Sequence, residues 1–297
     1  MDSDLTMARP AHDAISLEDR AFIAAAVRKL ERPGHFIELL NAIGKPAESV
    51  INWLPAWAGE RVERAVQRAL FDAVGWATKT LHNSIHADEK HVSTLSSVVV
   101  RSRSAMHVTA AAILGGMGGA FGLVALPIEL PITTLVILRS IAAIARDFDA
   151  DLEDPATRLE CISVLGLGTP STSEDAMESS YLTSRVGLAL LIRDAGRFLA
   201  GKSTLQLSEA LARGAAPEVT RLIGALASRL GYLAVDLAYA EMVPIAGAVG
   251  GATLNAYFAN FFNQVARYHF GLRRLERMYG EEVVQDIYRE EMRGLDA

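Results

Sequence analysis

The chain has 297 residues, with 29 Lys and Arg against 35 Asp and Glu and a formal net charge of −6. That length buries a core unaided, and a composition 51 % hydrophobic but only 7 % aromatic suits closely packed helices better than a β-sandwich. An acidic balance without basic runs excludes nucleic acid as the main partner, and the single cysteine, Cys161, excludes an intrachain disulfide or a CxxC metal site.

The first residues, Met-Asp-Ser-Asp-Leu-Thr, carry acids where a signal peptide needs bases. Residues 1–15 therefore read as a polar, disordered tail, and the cytoplasm, with the inner membrane face as a further option, is the expected residence. Residues 16–297 read as one all-helical domain, with amphipathic N-terminal helices over 16–90 and a core over 91–297. Ser16, with Asp19 three residues on, has the form of a helix start, and that helix stops at Pro33-Gly34. A short helix follows over 35–43. From Ala58 to His86, apolar positions Val62, Ala65, Val66, Ala69, Leu70, Ala73 and Val74 recur every three or four residues, as on the outer helix of a bundle.

Between Arg103 and Arg139, Glu129 is the only formally charged residue. The stretch 108–126 is as apolar as a transmembrane window of about 19 residues. The turn Leu126-Pro-Ile-Glu129-Leu-Pro131 then precedes an apolar helix over 132–146. Asp154-Pro155 opens another helix, stopped by Gly166 and Gly168. Residues 169–180 read as a loop, and helices resume over 181–199, 205–213, 217–230 and 231–242. A second uncharged stretch, 242–266, is followed by an arginine-rich helix over 268–279, Gly280, and a short charged helix. The fold class is all-α: a multi-helix bundle in which the two Gly/Pro-rich apolar segments, 108–131 and 242–256, pack together.

The glycines support that packing. Gly115 and Gly119, Gly118 and Gly122, and Gly247 and Gly251 stand four apart, the spacing that lets helix backbones approach closely. The run Gly115–Gly122 lacks the Lys-Ser/Thr of a phosphate loop. Prolines, glycines and amides interrupt both segments, so spanning a bilayer is not the expected state. Two readings of Glu129 stand: a carboxylate near the positive end of the helix opening at Pro131, or a functional carboxyl of raised pKa that Arg139 reaches. His82 and His86 share a helix face at metal-ligand spacing, with His91 beyond, but their polar surroundings point to a solvated helix end, and no metal or other cofactor is expected. Cys161 reads as a small buried residue. Asn255, Asn260, Asn263 and Gln264 ride on an aromatic-bearing helix and need partners. Arg267, Arg273, Arg274 and Arg277 form a stripe that either pairs with Glu276, Glu281 and Glu282 or meets anionic lipid headgroups.

Three blocks, 115–146, 158–168 (RLECISVLGLG) and 241–280, together and in order resemble the EcsC protein family, and SSYLTSR around Tyr181 and Arg185 fits as well. The proline–acid–proline turn, Arg139, the run VPIAGAVGGATLN and the tail HFGLRRLERMYG carry the likeness, which covers roughly residues 85–280. The resemblance implies an association with a membrane transporter linked to secretion; it brings no reaction or catalytic residue with it. Polar residues inside or beside these blocks are the candidates for a common pocket or network: Glu129, Arg139, Arg158, Tyr181, Arg185, Glu241, Asn255, His269, Arg273 and Arg274. The leading functional expectation is a non-catalytic protein, membrane-associated or binding a lipid or other hydrophobic ligand. The alternatives are a hydrolase with Glu129 or Glu241 and His269 as acid–base groups, and an adaptor of a membrane transporter.

Overall fold

The computed structural model describes residues 15–31, 64–74, 126–167, 181–200, 202–241 and 247–295; over 126–130, 231–241 and 247–255, and at 204 and 208, it describes the backbone only. These residues form α1 (Leu17–Leu30), α2 (64–74), α3 (Leu126–Asp147), α4 (Pro155–Ser163), α5 (Tyr181–Leu199), α6 (Thr204–Ala212), α7 (Pro217–Glu241), α8 (Gly247–Tyr279) and α9 (Glu281–Arg293). A 3-10 turn, Val164–Gly166, follows α4. No strand occurs among the described residues, and the fold is an all-α multi-helix bundle.

The long helix α8 is the axis. Phe258, Phe262, Val265, Phe270 and Leu272 are buried along it, and α3, α1 and α9 pack against it. Helix α4 bridges α3 and α5, and α5 leans in turn on α7. Burial follows helical periodicity: in α9, Val283, Val284, Ile287 and Tyr288 turn inward while Glu281, Glu282, Asp286 and Arg289 face water. In α2, Ala65, Val66, Ala69, Leu70, Ala73 and Val74 are buried, the face the sequence marks. Close approach favours glycine at two crossings. A Cβ on Gly196 would stand 3.1 Å from Ala156 Cβ, where α4 meets α5, and the Phe22 ring of α1 occupies the space of a Cβ on Gly271.

Local signals act as the sequence implies at several ends. Ser16 Oγ accepts from the Asp19 amide at 3.0 Å and donates to its carboxylate at 2.7 Å. Asp154 caps α4 through the amides of Ala156 and Thr157. Gly280, at φ 92°, turns α8 into α9.

The structure corrects three boundaries. Helix α3 is already helical at Leu126 rather than opening at Pro131, so Glu129 stands within it rather than ahead of it. Pro131 is carried inside the helix at the loss of one donor. Residues 217–230 and 231–241 form one helix, because a single glycine costs only about 1 kcal/mol within a helix of 25 residues. Residues 247–279 likewise form one helix rather than two.

Of the two segments expected to meet, 126–131 and 247–256 fall among the described residues; the helices that continue them, α3 and α8, pack against each other along their lengths as wholes. Residues 108–125 lie outside the described residues, as do the predicted helix at 35–43 and the loop at 169–180. Among the described residues, no helix is long and apolar enough to cross a membrane.

Candidate functional site

Four helices bring their polar side chains to one place. Helix α4 supplies Glu160, and α5 supplies Tyr181 and Arg185, one turn apart on one face. Helix α8 supplies His269, Arg273 and Glu276 at spacings of four and three, again one face, and α9 supplies Tyr288.

The chain of contacts is continuous. The Tyr181 hydroxyl lies 2.7 Å from His269 Nδ1, and His269 Nε2 lies 3.0 Å from Glu160 Oε1. The Glu160 carboxylate can only accept, so Nε2 carries the hydrogen; in the neutral tautomer Nδ1 then accepts from Tyr181. Arg273 Nε holds Glu160 Oε1 from the solvent side at 3.0 Å. Arg185 forms a two-pronged pair with Glu276, Nη1 to Oε1 at 2.7 Å and Nη2 to Oε2 at 2.6 Å, and Arg273 Nη1 adds a third bond to Oε2 at 3.2 Å. Behind Tyr181, its backbone N–H donates to both oxygens of Glu31, at 3.2 and 3.3 Å, and the Tyr288 hydroxyl donates to Glu31 Oε1 at 2.7 Å. Glu31, the C-cap of α1, thereby serves α5 as a carboxylate at its N-terminus.

The electrostatics follow from burial and partners. Burial alone pushes the Glu160 carboxyl up, but the hydrogen bond and charge of His269 and the guanidinium of Arg273 outweigh it and bring it to about 2. Burial raises Glu31, and its neutral donors Tyr288 and Tyr181 only partly offset that. Burial also pushes both phenols, Tyr181 and Tyr288, upward, which keeps them hydrogen-bond donors. Cys161 is buried with its thiol pushed upward by desolvation, the environment of an inert cysteine.

This network forms one end of a cleft of about 530 Å³ between α4 and α5. Glu160, His269, Arg185, Arg273, Glu281 and Gln285 line the polar end, and Leu167, Leu182, Val186, Ala189 and Ile192 line an apolar wall. Arg193 and Arg197 of α5 also border it, with Asp154 and Thr157 of α4.

Of the sequence-predicted residues, the structure brings Tyr181, Arg185, His269 and Arg273 together. It places others elsewhere. Arg158 donates to the Leu152 carbonyl at 3.3 Å, Arg274 pairs with Asp149 at 3.4 Å, and Arg139 is exposed on α3. Arg277 donates to the Phe148 carbonyl at 2.6 Å, Asn260 is exposed, and Asn263 is buried with neither amide atom bonded among the described residues. The backbones of Glu129, Glu241, Asn255, Gly247 and Gly251 are helical, but their surroundings lie outside the described residues, as do Gly115, Gly118, Gly119, Gly122, His82, His86 and His91 altogether. The carboxylate on His269 is Glu160, which sequence reasoning passed over together with Glu31 and Tyr288. Glu276 reads from sequence as a surface partner, yet it is the most buried ion of the network, its side chain 4 % exposed. Among the described residues, no group of three or more His, Cys, Asp or Glu could hold a metal ion.

One further motif is resolved by its context. Gly196-Arg-Phe-Leu-Ala-Gly201-Lys202-Ser203 has the spacing of a phosphate-binding loop. Here Gly196 lies inside α5, Lys202 Nζ donates to the Phe198 carbonyl at 2.8 Å, and Ser203 forms a capping box with Gln206. A helix therefore stands where the cradle of amides would have to be.

The model of the EcsC protein family matches residues 23–275, most of the chain. No curated protein and no solved structure matches it. The matched span takes in Glu160, Tyr181, Arg185, His269 and Arg273, so the network is built almost wholly within it, and the chain belongs to the EcsC protein family.

Proposed function

We propose that this EcsC-family chain is a non-catalytic binding protein for a lipid-like ligand, held in the cleft between α4 and α5. The observation that carries the reading is the cleft's division: an apolar wall of Leu182, Val186, Ala189 and Ile192 faces space that ends at a hydrogen-bonded ionic floor. An apolar tail gains by lying on the wall, and a polar head finds donors and acceptors at either end.

A hydrolase reading is favoured by one observation, the line Tyr181–His269–Glu160, but its chemistry is unfavourable. Both ring nitrogens of His269 are engaged, the imidazole is 1 % exposed, and a carboxyl held near pH 2 is a weak base. Those groups act as struts that fix α4, α5 and α8 around the cleft.

The test is mass spectrometry of the gently purified chain under non-denaturing conditions, with displacement of a fluorescent fatty acid as a second readout. Thr157→Trp fills the cleft from α4 with little structural loss, since Thr157 is partly exposed and its hydroxyl bonds only to Asp154. The wild type should carry or bind the amphiphile and the variant should bind it at least tenfold more weakly. Equal binding by both, or none by the wild type, overturns the reading.

A further inference from the structure

The outward face of α5 is unlike the rest of the surface. Val186 and Leu190 are 59 % and 55 % exposed. One and two turns further along the same face stand Arg193 and Arg197, both exposed. At 100° per residue, positions 186, 190, 193 and 197 fall within an arc of about 60°. The face is thus apolar in its first half and basic in its second.

The charge there also runs against the chain as a whole. From Tyr181 to Ser203 the sequence carries Arg185, Arg193, Arg197 and Lys202 but one acid, Asp194, although acids outnumber bases overall. Arg185 is spent on Glu276. Arg193 meets Asp194 only at 3.6 Å, and among the described residues no carboxylate lies within salt-bridge distance of Arg197. Asp154, which also borders the cleft, has its oxygens turned to the first amides of α4. Among the described residues, Asp194 is thus the one carboxylate partnered with the basic half of the face, which keeps an excess of positive charge, whereas on the ionic floor Arg185 and Arg273 both meet carboxylates.

We infer that this face of α5 docks on an anionic bilayer, with Val186 and Leu190 entering the interface and Arg193 and Arg197 engaging the lipid phosphates. A free phosphate would have no use for the two apolar side chains. A protein partner or a second copy of the chain is the competing occupant, and the vesicle and light-scattering measurements separate it from a bilayer. Long basic side chains next to short apolar ones on one helical face are what a helix lying in the headgroup layer requires. The cleft opens along the same helix, since Val186, Arg193 and Arg197 belong to both. The docking does not depend on the cleft being a ligand site.

Vesicle flotation distinguishes the possibilities. The wild-type chain should bind vesicles of phosphatidylcholine with 30 mol % or about that fraction of phosphatidylglycerol, and pure phosphatidylcholine vesicles at least tenfold less. Each arginine near an anionic surface contributes about a fivefold change in partitioning, so Arg193→Glu with Arg197→Glu should lower binding by more than about twenty-fivefold. Val186→Asp with Leu190→Asp should lower it by about tenfold or more. All four side chains are exposed, so circular dichroism and thermal melting should match the wild type; Arg221→Glu, an exposed arginine of α7, should bind as the wild type does. Thr157→Trp, which tests the cleft, should leave vesicle binding unchanged. The inference is overturned by equal binding to neutral vesicles, by variants that float like the wild type, or by a wild type that floats free while Val186→Asp splits a dimer in light scattering.

Discussion

Glu31 and Glu160 are both withdrawn from water and both hydrogen-bonded, yet their carboxyl groups are displaced in opposite directions. Glu31 accepts from a phenol and a backbone amide, donors that bring no charge, and burial prevails. Glu160 meets His269 and the Arg273 guanidinium, and the same burial is overcome. Hydrogen bonds from uncharged donors, then, do not keep Glu31 in its ordinary range; the His269 hydrogen bond joined to the charges around Glu160 does more than that. The two groups sit on either side of Tyr181, whose hydroxyl faces His269 and whose amide faces Glu31, so one residue at the start of α5 joins a charged half of the network to a neutral half.

The charged half is the easier to break. Glu276→Ala would leave Arg185, its side chain only 11 % exposed, without the carboxylate that takes two of its N–H groups. A buried cation stripped of its partner costs about 3–5 kcal/mol, read as a drop in urea unfolding free energy at pH 7. Arg185→Met combined with Glu276→Leu should recover most of that loss, because the unpaired charge goes with the pair; a single variant that costs under about 1 kcal/mol would mean that water screens the site. Next in size is the acid limb of the wild type. Glu160 holds a folded value near 2 against an ordinary 4.5, so its contribution is present above about pH 4.5 and is lost as the pH falls toward 2. The displacement corresponds to a stability change on the order of 3 kcal/mol. Glu160→Gln should flatten that part of the stability profile, and an unchanged acid limb would show that His269 and Arg273 do not hold the carboxylate as the geometry implies.

How much of this was legible depended on distance along the chain. The ends of α5, the Ser16 cap and the Asp154-Pro155 start are local signals, and the helices begin where those residues stand. The stretch around Pro131 misleads because two prolines resemble a boundary, whereas a long apolar helix absorbs Pro131. In the site, Tyr181, Arg185, His269 and Arg273 stand out as polar groups beside apolar runs. Glu276 shares a face with Arg273 at i and i+3, so its pairing was readable but its burial was not; its second partner, Arg185, lies 91 residues away along the chain. Glu160 looks like any acid on a short amphipathic helix. Glu31 lies 150 residues from Tyr181, and no local pattern connects them. Contacts made by packing helices leave their mark on composition, not on spacing.

The neutral half yields the smallest effect and the sharpest test of the contrast. Glu31 has a folded value above its ordinary one, so its sign is the reverse of Glu160's. What it contributes is whole below about pH 4.5 and is lost as the pH rises through the higher folded value. A glutamine keeps the acceptor oxygen for Tyr288 and the Tyr181 amide and never ionises, so Glu31→Gln should lie within about 1 kcal/mol of the wild type at pH 7. Measured at pH 4 and again at pH 7, the variant should gain on the wild type, because only the wild type must ionise a buried carboxyl over that interval. For Glu160→Gln the same pair of measurements should run the other way: in the folded wild type the carboxylate is already formed at pH 4, and the wild type gains as the unfolded chain gives up its proton near pH 4.5, so the variant loses ground. If both variants shifted in the same direction, the difference between the two carboxylates would lie in their burial rather than in the charge of their partners.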